Sequence, residues 1–241
     1  LGAAYLAILF YIRDVLKGHP GSTAHYLYLG AGLLAMLAYR KPVIVAALMP
    51  ILFVGLDVLQ SLENSREHER SFFGVHKLEM REGGQIRVLT HGTTVHGAMR
   101  VANADGSPNT DRPRPLTYYH PEAPIAETLR AVPTRPEGRS LGVVGLGAGA
   151  NACNGADKDR WTYFEIDAAV VRIARDPKLF RFLSTCAPDA RIVLGDARLT
   201  LAGEKAGGFD NLLIDAFSSD AIPMHLLTRE ALALYLAKLA D

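Results

Sequence analysis

Apolar positions cluster at the start of the chain and then change period. Leu1 to Leu16 is apolar apart from Arg13 and Asp14, Ser22 to Tyr39 is apolar and rich in Gly and Ala, and Pro42 to Leu59 is a third such run. A membrane-crossing helix needs about 20 apolar residues, with a range of about 17–25. Gly and Pro inside such runs are common in membrane helices. A signal peptide is one run with a cleavage site, so three runs argue against one. Residues 1–62 are therefore expected to be transmembrane helices. Arg13 and Lys17 fall in one loop, Arg40 and Lys41 in the other, and Arg66 and Arg70 follow the third run. The positive-inside bias then favours a cytoplasmic C-terminal region, and the expected location is the cell (inner) membrane. Asp57 lies near the end of its run and is expected at an interface.

Residues 63–70 read as a charged linker. From Ser71 the pattern turns to strands: 73–80, a Gly83-Gly84 turn, the alternating run 85–90, and then a turn and strand over 91–97. Residues 102–115 are rich in Asn, Asp, Pro and Gly and read as a loop. Ile125 to Val132 reads as a short helix. Residues 63–132 thus form a linker and small β-domain.

The remaining stretch, 133–241, alternates strands and helices. Leu141–Leu146 is an apolar run ending in glycines, and Trp161–Ile166 is a second run ending in acids. That is strand, Gly-rich turn, helix, strand, the first half of a nucleotide-binding sheet. Ala168 to Phe182 is an amphipathic helix interrupted at Asp176-Pro177. Residues 191–195 and 209–215 are the third and fourth strands, and Thr228 caps a helix running to the end. The alternation predicts a parallel, doubly wound α/β sheet. The chain opens on Leu1 rather than Met and closes at Asp241 inside an apolar helical pattern. We therefore expect a C-terminally incomplete segment of a longer protein, with an unpaired edge on its fourth strand. Alone, it is expected to be poorly stable and inactive.

Charge and cysteine content narrow the picture. The net charge of +1 implies no broad attraction to nucleic acid. The two cysteines, Cys153 and Cys186, have no CxxC spacing, so free thiols in a reducing compartment are expected. His91 and His96 have no Cys or acid at matching spacing, so no metal site is expected.

The candidate chemistry lies at the strand ends, where ligands of such sheets bind. Gly145, Gly147 and Gly149 allow a tight turn and close approach to a ligand. Glu165 can accept both hydroxyls of a ribose. Asp167, Asp196 and Asp215 stand at the same rim, and four acids together repel unless they bind hydroxyls, amines or cations. Helix capping accounts for some of them, one per helix. Gly145-x-Gly-x-x-Ala150 with an acid twenty positions on also fits a dinucleotide fingerprint, leaving NAD as a distant alternative.

Phe164-Glu-Ile-Asp167, Gly195-Asp-Ala197 and the segment from Ile214 to Pro223 resemble motifs of the spermidine synthases. Phe72–His76 and His91–Gly97 resemble segments of their membrane-fused bacterial relatives. The resemblance covers about 71–241 and implies a class I methyltransferase-like fold behind a small β-domain. It implies a polyamine aminopropyltransferase whose cosubstrate is decarboxylated S-adenosylmethionine and whose acceptor is a diamine such as putrescine. Gly145, Gly147, Gly149, Glu165, Asp167, Asp196 and Ala197 would bind the cosubstrate, Glu165 at the ribose and Asp196 at the adenine. Asp215 would be the base and Tyr119 its helper. Asp220, with Tyr118 and His120, would hold the acceptor. A homodimer and the membrane are the further partners implied. Ala148 stands where the family carries an acid, which admits ordinary S-adenosylmethionine and a methyltransferase as the alternative. A non-catalytic ligand-sensing module of a membrane transporter is the third.

Overall fold

The structure, a computed structural model, describes residues 67–217 and 222–240 together with Lys41, Val43 and Ala46. Apart from Lys41, Val43 and Ala46, the expected transmembrane helices, with Asp57, lie outside the described residues. Among the described residues no helix is long and apolar enough to cross a membrane.

The first layer is an antiparallel meander of four strands in sequence order. These are β1 (Glu67–Ser71), β2 (Gly74–Arg81), β3 (Ile86–His91) and β4 (Thr94–Arg100). The stretch expected as a charged linker ends in β1, which pairs with β2 from Glu67 opposite Leu78 to Ser71 opposite Gly74. No apolar period marks this strand, and its charged side chains suit an edge because they discourage further pairing. One face of the meander is apolar. Leu78, Leu89 and Met99 pack there against Phe180, Phe182 and Ile173 of the second layer.

The second layer is a parallel sheet in the order β7-β6-β5-β8. Its strands are β5 (Ser140–Val144), β6 (Arg160–Glu165), β7 (Arg191–Leu194) and β8 (Asn211–Ile214). Helices cover both faces, so β5 and β6 are apolar almost throughout, as a parallel sheet requires. Side chains alternate across the sheet. Leu141, Val143, Trp161 and Tyr163 pack on one face with Leu129, Val170 and Leu183. Val144 and Phe164 pack on the other with Leu201, Leu226, Ala231 and Tyr235. Burying each large side chain of this kind contributes roughly 1.5–3 kcal/mol.

Of the helices, α1 (Pro124–Ala131) matches the expected short helix. It is tied to the start of β5 by Arg139, which donates to the carbonyls of Leu129 and Val132 and pairs with Asp159 at 2.6 Å. The run expected as one interrupted helix is α2 (Ala168–Arg175), and α3 (Phe182–Cys186) follows separately. Pro177 restricts the residue before it and ends α2 at Asp176. The helix expected after the Gly-rich turn is only a 3-10 turn, Ala150–Asn154. Asn and Gly there favour turns over helix interior. α4 (Ala197–Ala202) and α5 (Arg229–Lys238) complete the layer, and Thr228 caps α5 by accepting from Ala231 N at 3.2 Å.

Two expectations need correction. Cys153 and Cys186 are not free thiols: they form a disulfide between the 3-10 turn and α3. The sequence hides this because the two lie 33 residues apart and meet only once α3 folds back. The outer edge of β8 is also not wholly bare. Past α5, Leu239 bridges Phe209 in parallel, and Ala240 N donates to Phe209 O at 2.8 Å.

Candidate active site

β5 ends at Val144, and the chain must then turn over the sheet without blocking its neighbours. Gly145 has φ 97°, and a Cβ there would stand 2.3 Å from the carbonyl oxygen of Asp215. Gly147 has φ 54°, and a Cβ there would stand 2.5 Å from the carbonyl oxygen of His96. Both positions therefore need glycine, for backbone conformation and for space. The turn packs on the tip of β8 at Gly145 and on the β-domain at Gly147, and its residues 145–147 line a cavity of about 190 Å³.

Glu165, Asp196 and Asp215 all line that cavity. Each is already partly engaged. Glu165 ends β6 and accepts from Leu146 N and Asp167 N, both at 2.9 Å. Burial raises its carboxyl above the usual range, while those two N–H groups pull it back. Asp196 follows β7 and caps α4 by accepting from Arg198 N at 2.9 Å. Its other oxygen faces His225 Nε2 at 2.9 Å.

Asp215 follows β8 and accepts the hydroxyl of Tyr119. Burial pushes its carboxyl up to about 6, although the tyrosine hydrogen bond works the other way. Burial, and then the Asp215 charge, push the Tyr119 hydroxyl well above its ordinary range. The tyrosine therefore stays protonated and donates. Asn154 fixes Tyr119 from behind, donating to its carbonyl at 2.9 Å. A carboxylate titrating near 6, fixed by a tyrosine at the wall of a cavity, has the basicity for proton abstraction at neutral pH.

Asp167 is placed differently. It caps α2 through Ala169 N at 2.8 Å, and its other oxygen takes the Ser71 hydroxyl and His76 Nε2, the latter at 2.6 Å. Although Asp167 lines the cavity, both its oxygens are spent inside the protein. Burial opposes ionisation there, but Ser71 and His76 outweigh it and hold the carboxyl below the usual range.

No protein-family model matches the chain. It is 32% identical over 125 residues to a polyamine aminopropyltransferase of Vibrio vulnificus, a match across 50% of this chain and 40% of that protein. A probable spermidine synthase from Corynebacterium glutamicum superposes with a TM-score of 0.55 at 18% identity, over 73% of this chain and 60% of that one. A spermidine synthase in complex with the transition state analogue AdoDATO superposes with a TM-score of 0.50 at 18% identity, over 74% and 55%. The chain is similar to that polyamine aminopropyltransferase in sequence and to these spermidine synthases in fold. It spans about two-fifths of the length of the Vibrio relative. At these identities the structural likeness gives the fold alone, a class I methyltransferase-like α/β sheet.

Seven of the expected site residues line the cavity: Gly145, Gly147, Glu165, Asp167, Asp196, Ala197 and Asp215. Gly149 does not line it. Tyr119 reaches it through Asp215, and the Tyr118 ring lies 4.3 Å from that of Tyr119. His120 is not part of the lining, and Asp220 lies outside the described residues. Capping explains two of the four rim acids, Asp167 and Asp196.

Sequence reasoning missed His76, His225 and Ile166 in the lining. Ile166 carried a signal, since it is an apolar residue between two functional acids and remains 42% exposed. Among the described residues, no group of three or more His, Cys, Asp or Glu could hold a metal.

Proposed function

We propose that this protein transfers the aminopropyl group of decarboxylated S-adenosylmethionine to a diamine such as putrescine. The observation that carries this is the Tyr119–Asp215 pair at the wall of the cavity that Glu165 and Asp196 also line. The similarity to the Vibrio polyamine aminopropyltransferase supports the same chemistry. Glu165 accepts ribose hydroxyls and Asp196 the adenine amino group.

A diamine is protonated at neutral pH and has no free lone pair. Asp215 removes one proton, and Asp220 with Tyr118 and His120 holds the acceptor. The freed nitrogen attacks the methylene carbon bonded to sulfur. The C–N bond forms as the C–S bond breaks, and the sulfur keeps the electron pair, leaving as neutral methylthioadenosine. Holding the two reactants in line supplies much of the rate.

The same reading takes residues 1–62 as a membrane anchor at the inner membrane, and a homodimer as the assembly. The charge bias of the N-terminal loops supports a cytoplasmic catalytic part. The Cys153–Cys186 bond speaks against that side, because disulfides persist in oxidising compartments.

The test is incubation of the full-length protein with decarboxylated S-adenosylmethionine and putrescine. Spermidine and methylthioadenosine should appear in equal amounts, and Asp215→Asn should lower turnover by about 10²–10⁴-fold. A methylated product from ordinary S-adenosylmethionine would replace this reading with a methyltransferase. Ligand binding without any product would make the domain a sensor.

A further inference from the structure

Imidazoles, not carboxylates, wall the part of the cavity contributed by the β-domain. His91 and His96 both line it. Their rings form a row with His76, with centroids 5.0 Å apart from His76 to His91 and 5.9 Å from His91 to His96. His96 lies against the Gly-rich turn, where its carbonyl accepts from Ala148 N at 3.1 Å. The turn offers no acid at that point. Ala148 is fully buried, and Gly97 packs so close that a Cβ on it would stand 2.4 Å from that of Ala148. The His96 Nε2 is buried and has no hydrogen-bond partner among the described residues. A buried polar atom left unpaired costs stability, and a ligand that pairs it recovers that cost.

Burial lowers His96 to about 4, and the neighbouring His91 and His76 add to the effect. Burial and His76 also lower His91, against an opposing pull from Asp167. Both rings are neutral at pH 7, so each presents a lone pair as well as an N–H. A lone pair accepts from an ammonium group.

We propose that His91 and His96 receive the ammonium end of the donor's aminopropyl tail and so select a donor without a carboxylate. This deepens the reading of the cavity as an adenosyl site and rests on it. Beyond this row of imidazoles, the polar side chains lining the cavity are His225 and the acids Glu165, Asp167, Asp196 and Asp215, and those acids disfavour a further carboxylate on the tail.

Calorimetric titration of the full chain with three ligands tests it: decarboxylated S-adenosylmethionine, S-adenosylmethionine and methylthioadenosine, which has no tail. The wild type should bind the decarboxylated form at least about tenfold more tightly than the carboxylate-bearing one. His96→Leu should remove that preference and leave methylthioadenosine binding unchanged, and His96→Gln, which keeps a neutral acceptor, should restore much of it. Equal wild-type affinity for the two sulfonium ligands overturns the proposal without depending on any variant. So does a His96→Leu loss shared by all three ligands. If methylthioadenosine itself does not bind, the adenosyl reading fails as well.

Discussion

Asp215 shows what burial does to a single carboxyl in this site. Its pKa rises from the ordinary 3.8 to about 6, so the folded protein binds that proton more tightly than the unfolded chain does. Stability from this group is therefore present below pH 4 and is lost as pH rises through about 6. Above that, the buried charge costs up to about 2–3 kcal/mol. Asp215→Asn removes the charge and should raise unfolding stability at pH 7.5, with the gain disappearing at pH 4. Urea titrations at the two pH values measure it, and an Asn variant that is no more stable at pH 7.5 would contradict the assignment. Glu165 and Asp215 were legible in the sequence because each ends an apolar strand run. His225 and His76 were not, since they meet Asp196 and Asp167 across 29 and 91 residues, where no local pattern operates.

At the scale of elements, the four strands of the sheet were readable from apolar runs bounded by glycines and acids. The short pieces were not. α3 and the 3-10 turn Ala150–Asn154 are too short to set up a helical period, and what holds them is tertiary: the Cys153–Cys186 bond and the buried Phe182. The disulfide joins the turn that carries Asn154, and Asn154 holds the backbone of Tyr119. Closing a loop of 33 residues restricts the unfolded chain by about 3–4 kcal/mol on the chain-entropy account. Cys153→Ser with Cys186→Ser should lower stability by that order in a urea titration, and adding reductant to the wild type should reproduce the shift. Equal stability with and without reductant would mean the bond does not form in solution.

At the scale of the molecule, the cavity exists only where two layers meet. Gly145, Glu165, Asp196 and Asp215 come from the parallel sheet, while His76, His91 and His96 come from the meander. The sequence announced both layers but not the joint between them. Asp167 is that joint. It caps α2 on one side and takes Ser71 and His76 of the meander on the other, and Arg172 of α2 reaches Glu69 of β1 close by. Its lowered pKa means the joint contributes stability above the ordinary carboxyl value and loses it as pH falls through the lowered one. Asp167→Ala removes the cap, worth about 1 kcal/mol, and takes the acceptor from Ser71 and the buried His76, a loss of about 1–3 kcal/mol for a buried polar group left unsatisfied. If Asp167 is a clamp, hydrogen exchange in β1–β4 of this variant should accelerate well before that in β5–β8. If it is primarily a ligand contact, exchange should stay uniform while methylthioadenosine affinity falls. The geometry favours the clamp, because both carboxylate oxygens are already occupied.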